Sequence, residues 1–264
     1  MTNEEYSNLY AKQHARYERR AYPIFLRALH EQIQPTIDWI KVNGPDNPPL
    51  DALVVPAIWR DPMVEVYQMI GMLAARREYF FMRNTDKGAL DFLIEAWRQV
   101  FYTYAINYAY RQESELSETT KNEIRYALSV AYDNNLNTDE TAAYIRKRVY
   151  NEISRSRAVM IARTETGTAA SLGKMTGGKS WLSEQGQKGY KEFIGRADER
   201  ERHTHWELNN DIIPIDEPFK FGTDLAQFPC DVNLSAAERI NCRCSFLIMS
   251  ERRYNRLMAE RSGN

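Results

Sequence analysis

Met175-Thr176-Gly177-Gly178-Lys179-Ser180-Trp181-Leu182-Ser183 divides this 264-residue chain by texture. Before it, apolar residues recur three and four apart, the spacing of one helix face. After it come short runs, Lys179 to Ser183 and Tyr190 to Ala197, that suit strands, separated by Asp216-Glu217-Pro218 and Phe228-Pro229. Two adjacent glycines between such regions read as a break. A last apolar run, Cys244 to Met249, reads as a strand and precedes a polar tail. The fold class expected is α+β: a mainly helical N-terminal region followed by a small α+β C-terminal domain. The segments expected are 1–50, 51–174, 175–250 and 251–264.

Within the helical part, Pro23 and Pro35 should separate two short helices over residues 1–41, and Asn43 to Leu50 reads as a linker. Asp61-Pro62 reads as a cap and first helical position. Leu90, Ile94, Trp97, Phe101, Tyr104 and Tyr108 mark an amphipathic helix with an aromatic face, read as core. Ser117 and Thr138 are candidate caps of two further helices.

Composition sets limits. Hydrophobic residues make up 43% of the chain, enough for real cores. Lys and Arg number 35 against 36 Asp and Glu, so overall charge gives no reason to expect non-specific nucleic-acid binding. No stretch approaches the roughly 18 apolar residues of a membrane span, and a cytoplasmic origin with no membrane partner is expected. There is no Walker-type glycine loop, no G-x-S-x-G and no H-E-x-x-H.

Three constellations stand out in the second half. They are Ile161-Ala162-Arg163-Thr164-Glu165, then Asp198-x-Arg200-x-Arg202-x-x-His205-x-x-Leu208, then Asn241-Cys242-Arg243-Cys244. In this order, with Trp181, Pro214, Phe219 and Pro229 between them, they resemble the minor head, or head morphogenesis, proteins of tailed phages, the family typified by the Mu F-like head protein. The resemblance covers about residues 138–250. Asn209-Asn210 stands where that family commonly shows a glycine, and Asn tolerates a left-handed backbone. The resemblance implies a low-copy structural protein rather than an enzyme. It implies attachment to the portal inside the virion head, assembly in the host cytoplasm, and a part in head assembly, genome packaging or ejection. Major capsid or scaffold protein and packaged DNA are the further partners it suggests. Under this reading residues 1–50 are a docking segment, with Tyr10, Tyr17, Tyr22 and Phe25 suited to a helix-in-groove contact.

Read as chemistry, the same residues look structural. Arg163 and Glu165 are expected near the C-terminal end of a helix, where a cation complements the dipole. In a strand, Asp198, Arg200 and Arg202 would share one face as a planar charge network. Cys242 and Cys244 would also share a face. With His205 they offer three ligands to a structural zinc, Cys230, His203 or Asp198 being candidates for the fourth. Two other readings stand beside it: reduced cysteines packed next to a hydrogen-bonded His205, and a disulfide to Cys230. A zinc-dependent hydrolase or nuclease using His205 and Asp198 is the enzymatic alternative, disfavoured because four protein ligands leave no open position.

Charge is locally uneven. Between Ala142 and Lys174 seven basic residues face two acidic ones, and from Glu207 to Glu238 seven acidic residues face Lys220. Arg146, Lys147 and Arg148 are the candidate nucleic-acid or partner contacts, against the plainer reading of a solvated helix face.

Overall fold

A computed structural model describes residues 3–83 and 91–262. The N-terminal region is helical: α1 (Asn3–Asn43), α2 (Leu50–Leu53), a 3-10 turn (Pro56–Trp59), α3 (Arg60–Arg83), α4 (Asp91–Asp133), α5 (Thr138–Ile145), a π-helical stretch (Arg146–Ile153) and α6 (Ser154–Glu184). The remainder is mixed: β1 (Gly189–Ile194), α7 (His203–Trp206), β2 (Ile212–Pro214), β3 (Phe219–Phe221), β4 (Asp224–Ala226), α8 (Ala236–Arg239), β5 (Ser245–Ser250) and α9 (Glu251–Ser262). This is the expected α+β class. No helix among the described residues is long and apolar enough to cross a membrane.

In place of consecutive segments, the residues cluster into two compact units that each draw on separated stretches. A helical unit comprises 18–65 and 103–162, and a mixed unit comprises 1–17, 66–102 and 163–264.

The helical unit packs around Ile33, Ile37, Ile40, Leu50, Val54, Ile124, Ile145 and Val149. α1 does not break at its prolines. Pro23 and Pro35 both lie on its exposed face, so the carbonyls they leave unpaired meet water, while Phe25, Leu29, Ile33 and Ile37 are fully buried on the opposite face. Continuous burial of that stripe outweighs the two lost hydrogen bonds. The same burial removes Phe25 from any docking face. Tyr17, in the mixed unit, is also buried. α4 runs through the expected cap at Ser117, whose buried hydroxyl instead accepts a 2.7 Å bond from Gln32. α5 is capped one residue earlier than expected, by Asn137 in a reciprocal capping box with Glu140. α3 begins at Arg60, directly after the 3-10 turn, so Asp61 lies in its first turn rather than at the cap.

The mixed unit holds a three-stranded antiparallel sheet of order β2-β1-β5 and a β3-β4 hairpin. β1 and β5 pair along their full lengths, with Phe193 opposite Phe246 and Tyr190 opposite Met249. Trp97 and Phe101 of α4 are buried in this unit, as the aromatic-face reading expects; Leu90 lies outside the described residues. Asn210 adopts φ +70, the left-handed turn anticipated for it.

The expected glycine break is overturned. α6 continues through Met175 to Ser183, and the run Lys179 to Ser183 is helical. Gly173 and Gly177 sit against α3: a Cβ on Gly173 would overlap the Gly71 carbonyl, and one on Gly177 the Ala75 carbonyl. The glycines let two helix backbones approach, so tertiary contact offsets their poor helix propensity of about 1 kcal/mol each. The polar tail is also ordered. α9 stacks Tyr254 on Tyr190 with centroids 3.8 Å apart, and Leu257 joins a cluster with Tyr6, Ile194 and Met249.

Candidate functional site

The three sequence constellations converge within the mixed unit. α6 supplies the first, and because it runs on to Glu184, Arg163 to Glu165 lie inside the helix rather than near its C-terminal end. Glu165 is buried, accepting a bond from the Tyr67 hydroxyl at 2.9 Å and one from Arg239 of α8 at 2.8 Å. Thr164 accepts the Asn241 amide at 3.2 Å, and Arg163 donates to the Asn241 side chain at 3.3 Å. Asn241 has φ +59, a turn that an Asx residue tolerates, and this turn delivers Cys242 and Cys244 inward. The first and third motifs are thus one contact.

The second motif is a bend followed by the single turn α7, not a strand, so Asp198, Arg200 and Arg202 do not form a shared face. Asp198 pairs instead with Arg243, through two bonds of 2.5 and 2.6 Å, and the guanidinium holds its carboxyl below the usual carboxylate range. Arg202 donates to the Ile240 carbonyl at 2.6 Å. Arg200 is exposed, its backbone amide bonding Asp198 at 3.0 Å.

α7 turns His205 inward to 1% exposure, edge-on to the Phe221 ring at 4.9 Å. His205 Nε2 lies 3.0 Å from Glu238 Oε2, while Nδ1 lies 3.4 Å from Cys244 Sγ and 3.6 Å from Cys242 Sγ. Burial alone would depress the imidazole pKa. The bond to Cys242 and the charges of Cys242 and Glu238 outweigh it and leave the pKa raised. Interaction with the Cys230 and Cys244 side chains, joined by His205, holds Cys242 well below the ordinary thiol range. Interaction with Cys242 and burial push Cys230 and Cys244 up. All three cysteines are free and buried.

Of the residues considered as a fourth ligand, Cys230 lies beside Cys242 but directs its Sγ to the Cys242 carbonyl at 3.4 Å. Thr168 fixes the Cys230 backbone, at φ +66, by a 2.6 Å bond to its carbonyl. His203 is exposed and lies 3.3 Å from Glu207, and Asp198 is engaged by Arg243. Trp181 sits half-buried on α6, lining a cleft with Phe81, Met249 and Arg253. Sequence reasoning missed Glu238, Arg239 and Tyr67. The first two had a signal, an acid-base pair three residues before Cys242. Tyr67 had none.

The basic candidates lie on the π-helical stretch of the helical unit. Arg146 rests over the Tyr150 ring and donates to Gln34 at 3.2 Å, and Arg148 pairs with Glu152 at 2.9 Å. Lys147 is exposed. Internal partners thus engage two of the three charges.

Comparison with known proteins agrees with the motifs. A family model described as Phage Mu protein F like protein matches residues 122–247, just under half of the chain. An NAD(+)--arginine ADP-ribosyltransferase, EFV, of Enterococcus faecalis is 32% identical over 106 residues. The match takes in 40% of this chain but only 21% of that enzyme. No solved structure gives a significant match. Residues 122–247, which hold all three motifs, are thus the part of the chain that is similar to the Phage Mu protein F like family.

Proposed function

We propose that this protein is a minor head protein of a tailed phage, bound to the portal inside the head and acting in head assembly, genome packaging or ejection. The observation that carries this reading is that the family-type residues are engaged in bonds inside the mixed unit. Glu165 bonds Arg239, Thr164 bonds Asn241, Asp198 bonds Arg243, and Arg202 holds the Ile240 carbonyl. Residues bonded in this way fix a shape, which is what an assembly component has to present to its neighbours. The matched family is itself a structural one.

The hydrolase alternative needs His205 and Asp198 at one reacting centre. His205 lies between Glu238 and two thiols, and Asp198 is held by Arg243, so neither has the arrangement of a general base beside an open position.

The test is location. Tagged chain expressed with the other head proteins is expected to co-sediment with portal-containing procapsids and to appear beside the portal by electron microscopy. It is expected to be missing from procapsids assembled without the portal. Equal incorporation with and without the portal would remove the portal from the proposal.

A further inference from the structure

The sulfurs of Cys242 and Cys244 and the imidazole of His205 converge at distances that suit a shared metal ion. The Nε2–H of His205 is directed at the Glu238 carboxylate, 3.0 Å away, which leaves Nδ1 with one lone pair. Nδ1 faces two sulfurs at nearly equal range, 3.4 and 3.6 Å, and the Cys244 sulfur also lies 3.7 Å from Glu201 Oε1. A zinc ion about 2.3 Å from sulfur and about 2.05 Å from nitrogen, with tetrahedral angles, separates those atoms by roughly 3.6 Å. The three ligand atoms all lie within 4.8 Å of one another and all three residues are buried. We propose that His205, Cys242 and Cys244 bind one zinc ion, His205 through Nδ1, with Glu238 orienting the imidazole from behind.

The electrostatics fit this assignment. Two thiolates and a neutral imidazole balance a divalent cation, so the bound ion and its three ligands add no net charge to the buried site. A third thiolate would leave it negative. Cys230 Sγ is directed to the Cys242 carbonyl at 3.4 Å and is not counted among the ligands. Glu238 is in the position of the carboxylates that commonly fix metal-binding histidines. Binding needs both sulfurs as thiolates and displaces whatever thiol protons they carry. The ion joins α7 to the turn before β5, segments 37 residues apart in sequence for His205 and Cys242.

The experiment is metal analysis of untagged, full-length protein purified under reducing conditions from zinc-supplemented medium. Roughly one zinc per chain is expected, with the melting temperature falling on chelation and recovering with zinc alone. Cobalt replacement is expected to give thiolate-to-metal charge-transfer absorption and tetrahedral ligand-field bands. Metal far below one per chain, with a melting temperature indifferent to zinc, overturns the proposal and leaves packed reduced cysteines. Because Cys242→Ser is liable to misfold, two milder variants carry the assignment. Glu238→Gln is expected to weaken zinc affinity about 10- to 100-fold with all ligands in place, and unchanged affinity would sink the orienting role. Cys230→Ser is expected to keep its zinc. Loss of zinc from it would overturn the three-ligand assignment.

Discussion

The two units bury polar groups in different ways. In the helical unit the interior carries a mostly neutral relay: Gln32 bonds Ser117 and Thr120 at 2.7 Å each, and Thr120 accepts from Arg157 at 2.8 Å. Arg157 donates otherwise to the Leu116 carbonyl, not to a carboxylate, and burial lowers its pKa to about 10. In the mixed unit the interior carries opposed charges, Glu165 against Arg239, and side chains that reach for backbone carbonyls: Thr168 to Cys230, Arg202 to Ile240, Lys191 to Gln227. The reason lies in the backbone. Helices satisfy their own amides and carbonyls, so packing them needs few polar side chains. Between β1 and β5 the chain has only short strands and single turns, and side chains must supply the bonds that a longer ladder would have made.

Three substitutions test that contrast. The largest effect is expected from Glu165→Leu, which takes the Glu165 carboxylate away from the buried Arg239 guanidinium. A loss of about 3–5 kcal/mol is anticipated by urea denaturation, mostly recovered by adding Arg239→Met. A single-variant loss below about 1 kcal/mol would show that the charge pair does not hold the mixed unit. Gly177→Ala comes next, at about 1–3 kcal/mol, because the methyl drives α6 off the Ala75 carbonyl. If alanine stabilises instead, as its helix propensity alone would have it, the close approach of α3 and α6 is wrong. The smallest effect is expected from Arg157→Met in the helical unit, within about 1 kcal/mol of the parent, since the change removes a buried charge whose hydrogen bonds go to Thr120 and the Leu116 carbonyl, with Glu123 acting only through its charge. A loss as large as that of Glu165→Leu would erase the distinction between the two interiors.

The same contrast explains what was legible in the sequence. The strands at β1 and β5 and the helical face of Trp97 and Phe101 rest on local periodicity, which one chain displays by itself. Gly177 was misread because its partner, the Ala75 carbonyl, lies a hundred residues away, and a glycine in isolation signals only a break. The spacing Gly173-x-x-x-Gly177 was the available clue to close helix packing. Asp198 was assigned to its neighbours Arg200 and Arg202, whereas Arg243, 45 positions on, has the planar fork that reaches it. His205, Cys242 and Cys244, grouped in the sequence by chemical type, have their ligand atoms within 4.8 Å of one another. Glu238, 3.0 Å from His205, was missed, since the acid-base pair it forms with Arg239 just before Cys242 does not by itself name a partner.

The first turn of α1 is held by the last strand: Tyr6 donates to the Phe246 carbonyl at 3.2 Å, and Asn3 reaches Glu192 of β1. On the ribosome this sets an order. The helical unit has all its residues once position 162 has been made, whereas the apolar side of Tyr6 must wait for nearly the whole chain to emerge before β5 covers it. Contacts of such long separation form slowly, so the nascent protein passes through a stage in which one unit is closed and the other still offers its hydrophobic surface to chaperones.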